Sequence, residues 1–141
     1  MKIVYTLARI LLGIFFFIMG LNGFLLFMPP PPGGIPQHAM QFSVLLFTTH
    51  YVYLTMGAEL VAGVLLLVNR FVPFALIMLA AILANILTFH VTMWPQALFP
   101  MPILALVLWF VASWPLRRHF APLFAPVARI DDRESIAVPA R

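Results

Sequence analysis

From Ile10 to Ala58 the chain carries no Asp, Glu, Lys or Arg, and the same holds from Phe71 to Leu116. Runs of this length cannot supply the hydrated surface of a water-soluble domain, so a bilayer is the natural solvent. Hydrophobic residues make up 64% of the 141 positions and charged residues 9%, against roughly 25% charged in soluble domains, and the mean hydropathy is +1.07. A single membrane domain is expected. The absence of Cys excludes disulfides, thiolate metal sites and any thiol relay carried by this chain. The net charge of +4 does not point to nucleic acid, because the basic side chains stand beside apolar spans, where they orient a membrane protein.

The first span reads Tyr5 to Met28, about 24 residues or about 36 Å of helix, enough to cross a hydrocarbon core of about 30 Å. It runs past the apolar core of about 7–15 residues in a secretory signal and has no small-residue cleavage site, so a retained helix is expected. Pro29 to Pro36 (PPPPGGIP) cannot continue a helix, because proline lacks the donor N–H and clashes with the preceding turn. His38 to Thr49 is apolar but too short to span, which predicts an interfacial or re-entrant helix. A second span from Tyr51 to Val68 and a third from Phe71 to Val91 are joined by a tight turn at Asn69 and Arg70. A fourth runs from Ala97 to Trp114, bounded by Pro95, Pro100 and Pro102 at its start and by Pro115, Arg117, Arg118 and His119 at its end.

The expected fold is therefore an all-α membrane protein: a four-transmembrane-helix bundle over 1–114, with a short interfacial helix between the first two spans, followed by a basic cytoplasmic tail over 115–141. Lys2, Arg9, Arg70, Arg117 and Arg118 fall at one side of this arrangement, and the positive-inside rule puts that side and both termini in the cytoplasm. Tyr51, Tyr53 and Trp94 fall at the opposite interface and Trp114 at the cytoplasmic one, where aromatic belts form. The tail segment RRHFAPLFAPVAR is expected to lie on the anionic leaflet, with docking to a protein partner as the alternative. The polar segment IDDRES follows it.

Glu59 is the only acidic residue before Asp131, and it lies within the second span. A charge at bilayer depth costs about 2.5–3.5 kcal/mol on insertion scales, so such a group faces the bundle interior, pairs, or takes up a proton. At about 100° per residue Thr55, Glu59, Ala62 and Gly63 share one face, which should point inward. Ala81, Asn85, Thr88 and Thr92 form a comparable stripe on the third span. Asn22, with Gly13, Gly20 and Gly23 near it, marks the first span as a close-packing helix. Counting about 1.5 Å per residue from the outer ends places Asn22, Glu59 and Asn85 in one layer, about 9–12 Å deep, with His50 and His90 at the rim above. A pocket lined by Asn22, Glu59, Asn85 and His90 is expected there.

A purely structural role for Glu59, fixing helix register through a hydrogen bond to Asn or Thr, stands beside a site for a polar small ligand such as a quinone head group, and beside contact with another subunit. Asn22 and Asn85 equally suit helix–helix bonding. His50 and His90 at similar depth on neighbouring spans also meet the crude requirement for paired heme ligands. No phosphate loop, metal-ligand cluster or nucleophile–base arrangement is present in the sequence.

Three segments, ARILLGIFFFIMGLNGF in the first span, GAELVAGVLLLVNR in the second and NILTFH closing the third, resemble the DoxX-like family of small four-helix membrane proteins. The similarity covers roughly residues 7–114. It implies a four-helix inner-membrane bundle in which Glu59, Asn85 and His90 are recurrent polar positions. Relatives include a quinone-reducing thiosulfate oxidoreductase subunit, partners of detoxification enzymes and, more distantly, assembly chaperones for membrane receptors. The Pro-rich first connection and the long basic tail depart from the simplest family pattern. Two functions are thereby expected: an accessory component of a membrane redox system that binds quinone, with electrons supplied by a membrane protein partner, or a non-catalytic structural or assembly subunit of a larger complex. A transporter is disfavoured, since four helices leave little room for alternating access without a homo-oligomer.

Overall fold

In the computed structural model the described residues are 2–29, 33–124 and 126. They form helices α1 (Lys2–Leu25), α2 (Gln37–Thr48), α3 (Val52–Leu67), α4 (Val72–Met93), α5 (Met101–Ser113) and the single turn α6 (Arg117–Phe120), with 3-10 turns at Pro95–Ala97, Trp114–Leu116 and Ala121–Phe124. No strand occurs among the described residues. Pro30, Pro31 and Pro32 of the PPPP run, the end of the RRHFAPLFAPVAR segment and the IDDRES segment lie outside them.

Lys2–Leu25, Val72–Met93 and Met101–Phe124 are each long and apolar enough to cross a membrane. A fourth candidate span exists only if α2 and α3, bent by 85° to each other, are taken together. The 16 residues of α3 reach about 24 Å, short of a hydrocarbon core of about 30 Å. α2 turns back across the Val52 end of α3. α1 packs on α3 and α5, and α4 packs on the same two helices. Leu12, Phe16, Leu66, Leu76, Leu79 and Leu83 are fully buried between them.

Glycine sets the α1–α3 spacing. A Cβ on Gly20 would stand 2.6 Å from the backbone N of Leu60, and one on Gly63 2.6 Å from the backbone N of Phe17. Backbone cannot yield as a side chain does, so only hydrogen fits at either point. Without a hydrophobic drive between helices in lipid, this close approach is what holds them.

The predicted turn at Asn69 and Arg70 is a Schellman closure. Asn69 adopts φ 56°, its N–H donates to Leu66 O (3.3 Å) and the N–H of Arg70 donates to Leu65 O (3.0 Å). Arg9, 7% exposed, completes it: its Nη1 donates to the carbonyl of Leu66 and, at 3.5 Å, to that of Leu67. A cation at this point also meets the negative end of the α3 dipole. Arg9 thus ties α1 to the end of α3, a role beyond the orienting charge expected from sequence.

Two expectations need correction. The fourth helix begins at Met101 rather than Ala97, because Pro95–Ala97 closes a separate turn; nor does Pro115 end the helical path, which continues to Phe124 with Pro115 in the first turn of a 3-10 segment that tolerates a missing N–H. The stripe Ala81, Asn85, Thr88 and Thr92 on α4 is exposed, while Ala75, Leu76, Leu79, Ile82 and Leu83 face inward. Thr88 and Thr92 donate to the carbonyls of Ala84 (2.8 Å) and Thr88 (2.7 Å) on their own helix. Hydroxyls satisfied in this way need no inward partner, so threonine is a poor marker of the buried face.

Candidate ligand-binding site

A cleft of about 230 Å³ lies between α2, α3 and α4 at the Val52 end of α3. Glu59 lies at the centre of the buried face of α3, with Val52, Ala62, Gly63 and Leu66 on the same side, and is 3% exposed. Thr55 and Met56 lie one turn above it. α4 contributes Ile82, Asn85, Ile86, Phe89 and His90, and α2 roofs the space with Phe42, Ser43, Leu46 and Phe47. The lining is mostly apolar with a few polar groups, the usual composition of a small-molecule site.

Among the described residues no hydrogen-bond or ion-pair partner reaches the Glu59 carboxyl, although it is buried and on the cleft wall. Its oxygens open onto the cleft rather than being sealed in the core, so an occupant with a polar group could bond them there. His90 Nδ1 lies 2.8 Å from Ile86 O, so this nitrogen carries the proton and donates to the helix carbonyl. In the neutral imidazole Nε2 is then the acceptor. Asn85 is exposed and stands at the edge of the cleft, with its carboxamide unpartnered among the described residues. The cleft wall thus offers a carboxyl, an amide and an imidazole acceptor around an apolar interior.

Of the four residues expected to share a pocket, the structure brings together Glu59, Asn85 and His90. Asn22 is elsewhere: its Oδ1 accepts from the N–H of Met28 (2.8 Å) and secures the exit of α1, where Leu26 takes φ 50°. His50 sits in the turn between α2 and α3 at φ 61°, its ring 5.5 Å from that of Tyr53, and it does not line the cleft. No group of three His, Asp or Glu residues suited to a metal ion occurs among the described residues. The α2 lining was not foreseen. Its signal was present in sequence, since Phe42, Ser43, Leu46 and Phe47 recur at helical spacing on one face.

No family model, curated protein or solved structure matches this chain.

Proposed function

We propose that this chain is a DoxX-like protein of the inner membrane, a four-span bundle with both termini cytoplasmic, that binds a small lipophilic molecule with a polar head in the cleft under α2. A quinone is the occupant the chemistry suits best. Its ring fits among Ile82, Ile86, Phe89 and Leu46, and its oxygens meet the groups on the wall. The observation that carries this reading is the buried Glu59 carboxyl, partnerless among the described residues and facing an apolar space. In the redox role, Glu59 and His90 exchange protons with the bound quinone while a partner protein supplies the electrons, since this chain has no redox side chain of its own. A ligand that binds only the folded state stabilises it, so decylubiquinone added to the detergent-solubilised protein should raise the midpoint of thermal unfolding in the wild type and leave Glu59→Gln unmoved. Equal shifts in both would remove Glu59 from the site.

A second reading is favoured by a different observation. The exposed α4 stripe, with its unpartnered Asn85, suits contact with another membrane helix, as expected of an assembly subunit. Stoichiometric co-purification of a membrane partner, lost in Asn85→Leu and retained in Glu59→Gln, would establish it.

A further inference from the structure

We propose that the cleft is filled sideways from the bilayer, beneath α2 at the edge marked by Asn85, and not from the aqueous phase. The proposal rests on the reading of the cleft as a ligand site, and it narrows the occupant to molecules dissolved in the membrane.

Three observations carry it. First, α2 has two faces. Phe42, Ser43, Leu46 and Phe47 line the cleft, while Gln37 and Gln41 are exposed and fall together on the opposite side at about 100° per residue, with the self-bonded Thr48 beside them. Met40 and Leu45, 44% and 58% exposed, lie between these faces, and Val44, 50% exposed, borders the polar line about 20° from Gln37. A helix with polar residues outward, apolar flanks and a bend of 85° from α3 is one that lies in the plane of the interface. Its polar line faces the head groups, so the cleft is on its membrane side and α2 stands between cleft and water.

Second, the cleft reaches the surface on α4 at Asn85, which belongs to the same exposed stripe as Ala81 and Thr88. In a bilayer this exposed stripe meets acyl chains wherever no second helix covers it. The mouth therefore opens where acyl chains lie, and the amide stands on its rim, where it can meet the polar head of an entering molecule.

Third, α2 is held at this edge by side chains rather than by a continuous core. The Phe42 and Phe89 rings stack at 5.9 Å, and Ala39 is the one buried residue of α2. The Phe42–Phe89 pair bridges α2 and α4 above the mouth. Tyr51, 63% exposed in the α2–α3 turn, also touches the cleft and marks the route that water would have to take.

The natural absence of cysteine allows a direct test. Single-cysteine variants Thr55→Cys, inside the cleft, and Asn85→Cys, at its rim, are reconstituted in vesicles with Gln96→Cys in the α4–α5 turn as an exposed control. Each is treated with N-phenylmaleimide, which dissolves in the bilayer, or with a sulfonated maleimide confined to water. The ratio of the two rates on one thiol cancels that thiol's own reactivity. At Thr55→Cys and Asn85→Cys the lipophilic reagent should be faster by about a hundredfold, as expected when a full charge is excluded from bilayer depth; at Gln96→Cys the rates should be similar. Comparable rates at Thr55→Cys would mean that the cleft opens to water past Tyr51. No labelling of either variant by either reagent even at about pH 9, where the thiol ionises more readily, with the control labelled, would mean that it is sealed, and both results overturn the proposal. The site reading fails separately: lateral labelling with no ligand ever retained would leave the opening and remove the ligand, whereas retained ligand with aqueous labelling would do the reverse.

Discussion

The contact of α3 with α1 and the contact of α3 with α4 are made by the two sides of one helix, yet they differ in kind. Toward α1 the backbones nearly touch, with Gly20 against Leu60 and Met56 and Gly63 against Phe17 and Gly13. Toward α4 the contact is sparser, and the cleft beside Glu59 that lies between the two helices is covered by α2. One side is built for stability without a hydrophobic drive, and the other gives up packing to keep a polar group within reach of an occupant. Sites formed in this way are paid for by tight packing elsewhere.

The sharpest way to break this comparison is to thicken the tight side. Gly63→Val would place atoms well inside contact distance of the Phe17 backbone, a clash worth about 3 kcal/mol, and should sharply reduce the yield of monodisperse protein in size-exclusion chromatography. Gly57→Ala is the matched control on the same helix. Its Cβ would meet only the Phe24 ring at 4.0 Å, so the gain in helix propensity of up to about 1 kcal/mol should leave the unfolding midpoint unchanged or raised. Equal damage from both would mean that the close approach does not hold the fold.

Smaller effects test the ties at the Arg9 end and on α4. Arg9→Met should lower stability by about 2 kcal/mol in denaturant titration, because carbonyls at the end of α3 lose a charged donor. Trp109→Phe removes the hydrogen bond from the indole Nε1 to Leu76 O (2.8 Å) that joins α5 to α4, for about 1 kcal/mol by the same measurement. The smallest change is expected for the double variant Thr88→Val, Thr92→Val, within about 0.5 kcal/mol, since both hydroxyls bond their own helix. A large loss there would show that the α4 stripe is covered by a partner.

Much of this was legible in the sequence because bilayer chemistry leaves strong marks. Uncharged runs gave the positions of α1 and α4, Asn69–Arg70 the turn, and the lone acidic residue in a span the centre of the cleft. The fourth helix begins later than the sequence suggests because Pro95–Ala97 closes its own turn ahead of Pro100, and its path runs on past Pro115 because at a first turn the missing N–H costs nothing. The α4 stripe was turned the wrong way because Thr satisfies itself through the i−4 carbonyl. Asn22 was assigned by depth alone, and depth says nothing about which way a side chain points. The capping role of Arg9 left no local signal at all, since its partners at Leu66 and Leu67 lie 57 and 58 positions away.

The central claim is that the Glu59 cleft holds a lipophilic molecule with a polar head. Mass spectrometry of the intact protein, extracted gently from its native membrane, tests it most directly when the wild type is compared with Glu59→Gln. The account predicts a small lipophilic molecule, a quinone foremost, bound to the wild type and lost from the variant while both remain folded. A folded wild type that carries no such molecule, or a variant that retains it equally, would contradict the account.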